Sequence, residues 1–300
     1  MKAMILAAGL GTRLRPLTDN RPKALMPVVN RPMIERIVEY LKRFGTEGIV
    51  VNAYHHYKQI IDYLDGGKPF GLKIDVRVEP EILGTGGGIK NTEGFWDDDP
   101  FIVINSDILT DIDLDTAYEA HRESKGLVTL ILHDHEPYNQ IRIDNSGKIT
   151  DITPDNEPGC LAFTGIHIMS PELLSHIPEE GFSNIIDCYL TLIRSGKEIR
   201  YHISKGHYWS DMGTVNSYKQ VNKDLLDQTR FSIASECQIA PSATLEDWAV
   251  IGRRTTLEES VEIRGSILWD GIRVKHGRRV VDSIVTSDKT VDRDFFQEVY

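Results

Sequence analysis

Leu6-Ala7-Ala8-Gly9-Leu10-Gly11-Thr12-Arg13-Leu14-Arg15-Pro16-Leu17-Thr18, closely followed by Pro22-Lys23, is the stretch on which the reading of this chain turns. The run Lys2 to Ala7, apolar from Ala3 onward, predicts a strand, and glycines directly after a strand let backbone N–H groups approach an anion closely. Arg13, Arg15 and Lys23 supply cations to neutralise phosphate charge. The dinucleotide-binding pattern needs a third glycine where Leu14 stands, and the Walker pattern needs Gly-Lys-Ser/Thr where Gly11-Thr12-Arg13 stands. Neither common nucleotide loop matches. Taken alone, these residues leave two readings open: a loop shaped for a triphosphate, or an ordinary turn with a solvated cationic rim.

Outward from this loop, short β-type runs alternate with helical stretches, the pattern of a mainly parallel sheet covered by helices. Strands are expected at residues 2–7, 48–52, 72–78, 101–105, 127–133, 161–169 and 198–203. Ile34, Ile37, Val38 and Leu41 share one face of a helix that Pro32 opens and Gly45 stops. Residues 140–152 read as a hairpin turning at Gly147, which makes the sheet mixed. A helix from Val215 to Asp227 closes a domain spanning 1–228, and residues 229–237 read as a linker. Beyond it Ile239, Leu245, Ile251, Leu257 and Ile263 recur at steps of six. That period predicts hexapeptide repeats wound into a short left-handed β-helix of two or three coils over residues 238–300.

Composition narrows the function. Three hundred residues with 40% hydrophobic and 26% charged side chains suit a large folded core, and the net charge of −11 opposes a broad grip on nucleic acid or an anionic membrane. Cys160, Cys188 and Cys237 are widely spaced and read as reduced thiols rather than disulfides or zinc ligands. Met4 to Ala8 is too short for a signal or membrane segment, so a cytoplasmic location is expected.

Two aspartates stand where strands should end. Asn105-Ser106-Asp107 closes one apolar run, and Trp209-Ser210-Asp211-Met212-Gly213-Thr214 lies between a strand and a helix. Ligands of open α/β sheets bind beyond the C-terminal strand ends, and oxygen-only donors suit a hard cation such as Mg²⁺. Each aspartate could equally cap a helix.

Together these stretches resemble the sugar-nucleotide pyrophosphorylases, the NDP-sugar nucleotidyltransferase family. The likeness runs from Leu6 to Thr18 and Pro22-Lys23 through Leu83-Gly84-Thr85-Gly86-Gly87-Gly88, Asn105-Ser106-Asp107, Thr164-Gly165-Ile166 and the Trp209 to Thr214 motif, over residues 1–228. It implies a Rossmann-like, glycosyltransferase-A-like sheet and an enzyme that joins a nucleoside monophosphate, taken from a nucleoside triphosphate with release of pyrophosphate, to a sugar 1-phosphate. Leu6, Ala7, Ala8, Gly9, Gly11 and Thr12, with the Glu79 to Gly87 segment including Gly84 and Gly86, would hold the nucleotide. The resemblance assigns Arg13 and Lys23 to the phosphates and Asp107 and Asp211 to Mg²⁺, leaving Gly165, Asn184 and Trp209 as sugar contacts. Ile152-Thr153-Pro154 replaces the Glu-Lys pair of many thymidylyl and uridylyl members, so the chain looks more like mannose or heptose 1-phosphate guanylyltransferases and N-acetylmuramate 1-phosphate uridylyltransferases. A non-catalytic regulatory subunit is the rival reading. A second rival, acyl transfer by the C-terminal repeats, is opposed by their shortness and by His276 as their only base, so they read as a region for packing, assembly of a homo-oligomer or feedback control.

Overall fold

The computed structural model describes residues 1–124 and 126–300. The chain forms two compact units, Met1–Leu10 with Ile34–Ser210, and Gly11–Met33 with Asp211–Tyr300.

In the first unit Lys2–Leu6 (β1) pairs in parallel with Gly48–Ala53 (β2) on one side and Phe101–Asn105 (β4) on the other, and Lys73–Val78 (β3) extends β2. Ala3, Met4, Ile5, Ile49, Val50, Val51, Ile102 and Val103 are fully buried, the continuous apolar character of strands covered on both faces. Val128–His133 (β5), Asn139–Ile143 (β6), Ile149–Ile152 (β7), Leu161–Met169 (β8) and Ile199–Ile203 (β9) complete a nine-stranded sheet. Its order is β7-β6-β8-β4-β1-β2-β3, with β5 against β8 and β9 against β5. β8 runs antiparallel to β4, β5 and β6, so the sheet is mixed and mainly parallel, as expected. All seven expected strands are present, and β6 and β7 form the hairpin, with Gly147 at φ +86°.

The helices of this unit are Met33–Arg43 (α1), Tyr57–Leu64 (α2), Gly84–Lys90 (α3), Leu114–Ser124 (α4) and Ile185–Arg194 (α5). Ile34, Ile37, Val38 and Leu41 of α1 form the predicted buried face. Ile185, Tyr189 and Leu192 of α5 join Met4, Val50, Phe101, Val103 and Leu130 in one apolar cluster. Each such side chain contributes about 1.5–3 kcal/mol. The Tyr189 hydroxyl would be costly in that cluster without a partner; it meets His167 Nδ1 at 2.6 Å.

The second unit is built on a β-helix. Its strands are Phe231–Ile233 (β10), Gln238–Ile239 (β11), Thr244–Ile251 (β12), Thr256–Leu257 (β13), Glu262–Leu268 (β14), Arg273–Val274 (β15), Arg279–Val281 (β16), Ile284–Val285 (β17), Thr290–Val291 (β18) and Phe295–Phe296 (β19). All their pairings are parallel. Ile239 lies beside Leu257 and Leu245 beside Ile263, three hexapeptide steps along the chain in each case. The columns continue as Ile239-Leu257-Val274-Val291, Leu245-Ile263-Val280-Phe295 and Ile233-Ile251-Leu268-Val285, so each wall stacks four strands rather than the two or three coils expected. Two departures explain the difference. Phe231–Ile233, inside the expected 229–237 linker, is already the first strand, and beyond Leu257 the repeat shortens by one residue.

Val215–Leu226 (α6) starts at a capping box between Thr214 and Ser217 and lies in the same unit. Its Tyr218 hydroxyl donates to Pro27 O at 2.5 Å and accepts from Trp269 Nε1 at 2.9 Å. Asn222 Oδ1 takes the Val29 N–H at 2.8 Å, and Asn30 Nδ2 reaches Ser232 Oγ at 3.0 Å and Ile251 O at 3.1 Å. Residues 11–33 therefore pack with the β-helix, although the expected catalytic domain ran unbroken over 1–228.

Candidate functional site

At the C-terminal ends of the parallel strands in the first unit, buried polar side chains are wired together. The Ala7 N–H donates to Asn52 Oδ1 at 2.8 Å, Asn52 Nδ2 donates to Glu79 Oε1 at 2.7 Å, and the Leu83 N–H donates to Glu79 Oε2 at 3.1 Å. Asn52 and Glu79 are each only 2% exposed. Burial pushes the Glu79 carboxyl above its usual range, opposed by the Leu83 and Asn52 donors. Leu6, Ala7, Ala8, Gly9 and Glu79 are expected as nucleotide contacts. The structure links Ala7 to Glu79 through Asn52, and the Glu79 carboxylate is turned inward to hold backbone. Asn52 was missed; its signal was a lone amide in the otherwise apolar strand Gly48–Ala53.

The glycines of α3 are required by close packing. Gly84 has φ +72°, and a Cβ there would lie 2.5 Å from Ser183 O. A Cβ on Gly86 would meet Ser183 Oγ at 2.7 Å, and one on Gly88 would meet Asn52 Nδ2 at 2.6 Å and Glu79 Oε1 at 2.8 Å. The contact on the 183–185 side is hydrogen-bonded: Gly86 N donates to Ser183 O at 2.8 Å, Ser183 N to Leu83 O at 2.8 Å, and Ile185 N to Thr85 Oγ1 at 3.0 Å. Asn184, expected as a sugar contact, is the N-cap of α5. Its Oδ1 accepts from Ile186 N at 3.1 Å and from the Thr85 hydroxyl at 3.3 Å.

Asp107 follows Ser106, whose N–H donates to Leu6 O at 3.0 Å, so it stands where β4 ends beside the end of β1. Gly165 lies in an irregular stretch of β8 at φ +77°, and a Cβ there would be 2.8 Å from Asn105 Nδ2. Trp209 is 8% exposed, and its indole N–H donates to Thr164 O at 2.9 Å. The rings of His135, Tyr138 and His133 surround it at 4.9, 6.1 and 6.0 Å.

In the second unit Gly11 adopts φ +64°, where a Cβ would lie 2.9 Å from Thr18 Cγ2, and the Thr18 hydroxyl donates to Gly11 O at 2.9 Å. This turn opens a short 3-10 helix, Thr12–Leu14, while Lys23 begins another, Lys23–Leu25. A Cβ on Gly213 would meet Asp211 Oδ1 at 2.9 Å and Arg13 Nη2 at 3.1 Å, so an acidic and a basic group from distant positions converge on one glycine. Among the described residues no group of three or more His, Cys, Asp or Glu side chains could hold a metal ion, and no helix is long and apolar enough to cross a membrane.

Residues 2–228 match the model of the nucleotidyl transferase family. The chain is 30% identical to the UTP–glucose-1-phosphate uridylyltransferase of Synechocystis sp., an alignment covering 98% of this chain and 89% of the relative. It is 33% identical to the N-acetylmuramate alpha-1-phosphate uridylyltransferase of Neisseria meningitidis serogroup B, over 73% of this chain and 96% of that one. The crystal structure of HddC from Yersinia pseudotuberculosis complexed with GMP-PN superposes with a TM-score of 0.66 at 25% identity, covering 75% of this chain and 99% of HddC. The chain belongs to the nucleotidyl transferase family.

Proposed function

We propose that the chain is a sugar-1-phosphate nucleotidyltransferase that moves a nucleoside monophosphate from a nucleoside triphosphate to a sugar 1-phosphate, of the guanylyl type acting on mannose or heptose 1-phosphate. A sugar-phosphate oxygen attacks the α-phosphorus in line; the new O–P bond forms as the bond to the departing pyrophosphate breaks. Catalysis of this kind is positioning plus neutralisation of charge. Arg13 and Lys23 grip the phosphates, and Lys23 neutralises charge at the attacked phosphorus. Leu6, Ala8 and Gly9 approach the base opposite the Gly84 segment, and Gly165 and Trp209 face the sugar.

The observation that carries the reading is the convergence of Arg13 and Asp211 on Gly213, a phosphate-binding cation beside an oxygen donor. The donor chemistry fits Mg²⁺: Asp107 and Asp211 offer oxygen only, and such an ion keeps positions for phosphate and water. When bound, it would neutralise charge on the triphosphate. The names of the Synechocystis and Neisseria relatives favour a second reading, uridylyl transfer to glucose or N-acetylmuramate 1-phosphate. A pyrophosphate-release screen decides, crossing four nucleoside triphosphates with glucose, mannose, N-acetylglucosamine, N-acetylmuramate and heptose 1-phosphates. GTP with mannose or heptose 1-phosphate should give the highest kcat/KM; preference for UTP or dTTP would overturn the guanylyl assignment.

A further inference from the structure

Among the described residues Phe182 is the most exposed large apolar side chain, at 70%. Its backbone is nevertheless held. The Ser183 N–H donates to Leu83 O at 2.8 Å, Ser183 O accepts from the Gly86 and Gly87 N–H groups at 2.8 and 3.3 Å, and the Ile185 N–H donates to Thr85 Oγ1 at 3.0 Å. The chain that follows Phe182 is thereby stitched to the start of α3. One edge of the ring is fixed as well: Cε2 and Cδ2 lie 2.9 and 3.2 Å from where a Cβ on Gly84 would stand. Gly84 has φ +72°, and its lack of a side chain lets the ring close on its Cα. Ile185, three residues on, belongs to the buried apolar cluster of the first unit, which Phe182 does not join. The ring is anchored along one edge while most of its surface stays in water.

The backbone donors around this ring are already used. The Leu83 N–H is bound to Glu79, those of Gly86 and Gly87 to Ser183, that of Ser183 to Leu83 and that of Ile185 to Thr85. None of these N–H groups is left to recognise the edge of a ligand. Ile82, 37% exposed, precedes Leu83, and Leu10, 38% exposed, stands in the glycine loop, so the segments expected to hold the nucleotide bring further apolar surface. What Phe182 offers is a flat apolar face. Of the groups carried by a nucleoside triphosphate and a sugar 1-phosphate, only the nucleobase is flat. Stacking of a base on an aromatic ring serves every base, because each has a π-face.

We propose that Phe182 stacks on the base of the bound nucleoside triphosphate and adds affinity for all bases alike, leaving the choice among them to other groups. The proposal rests on the function proposed above, in which the Gly84 segment lies at the base. Calorimetric titration of the full chain in the absence of sugar 1-phosphate tests it, with GTP, UTP and inorganic tripolyphosphate as probes. Phe182→Ala should weaken each nucleotide that wild type binds by about tenfold and leave tripolyphosphate unchanged. Its thermal midpoint should not move, since the ring lies outside the core. Phe182→Trp, which keeps a flat ring, should restore the affinity; Phe182→Leu, apolar but not flat, should not. Nucleotide affinity indifferent to Phe182→Ala, an equal loss for tripolyphosphate, full rescue by Phe182→Leu, or a rise in KM for the sugar 1-phosphate alone would overturn the proposal. Nucleotide binding that depends on Phe182 in a chain that turns over no sugar 1-phosphate would instead refute the catalytic reading and leave the stacking in place. A chain that binds neither nucleotide would refute both.

Discussion

Asn52 donates its side-chain amide to Glu79 across 2.7 Å while its own carbonyl oxygen takes the Ala7 N–H at 2.8 Å. One buried side chain thus sets the spacing between the end of β1 and the segment that leads into α3. Asn52→Leu keeps the volume but leaves Ala7 N–H and the Glu79 carboxylate without this partner. At about 1–3 kcal/mol for each of the two stranded groups, the loss should be about 2–6 kcal/mol in urea unfolding, with a higher KM for the nucleoside triphosphate. Glu79→Gln replaces one acceptor oxygen by a donor facing a donor and should cost about 1–3 kcal/mol.

Gly165 and Gly181 both have positive φ, +77° and +84°, but differ in their surroundings. A Cβ on Gly165 would sit 2.8 Å from Asn105 Nδ2, whereas Gly181 has nothing within 4 Å. Gly181→Ala should therefore cost only about 1 kcal/mol of backbone strain. Gly165→Ala should cost more and displace Asn105, two residues before Asp107, lowering kcat as well as the thermal midpoint.

Acid should weaken the first unit through two buried histidines. Burial lowers His121 to about 4 and His167 to about 3, and their ring nitrogens are held by Thr129 and Ser170 and by Tyr189 respectively. Both are neutral in the fold and take up protons near pH 6.5 when unfolded. The unfolded state therefore binds more protons below that value, and the stability these groups contribute above pH 6.5 is lost as pH falls toward 4 and then 3. The thermal midpoint should fall over that window, and His121→Gln should flatten the upper part of the decline.

Ile263 is fully buried in the middle of a β-helix column, between Leu245 and Val280. Ile263→Ala opens a cavity and should cost about 2–5 kcal/mol, read as a lower midpoint in chemical denaturation.

The strands were legible because each is an apolar run between breakers, and the β-helix because Ile239 to Ile263 keep a step of six. Phe231–Ile233 escaped notice as a strand because it is three residues long among polar neighbours and Ile233 is 49% exposed. The later coils escaped because shortening by one residue moves Leu268 and Val280 off the six-residue register while they still stack on Ile251 and Ile263. At the strand ends, polar chemistry was visible as residue types but not as wiring. Asn184 before Ile185-Ile186 carries an ordinary capping signal, and the glycines of α3 resemble a ligand loop while their absent side chains make room for Ser183 and Asn52. Such approaches join residues about thirty to a hundred positions apart, which no local pattern encodes.

Asp107 can be separated from folding. Its neighbour Ser106 carries the backbone bond to Leu6, which Asp107→Ala leaves in place, so the variant should still unfold cooperatively while losing metal-dependent pyrophosphate release. The most direct measurement follows both products of one reaction mixture, pyrophosphate and nucleoside diphosphate-sugar, for wild type with and without sugar 1-phosphate. Equal amounts of the two products are expected, and none without the sugar. Pyrophosphate released without sugar 1-phosphate, or tight binding of the NDP-sugar with no turnover, would contradict this expectation.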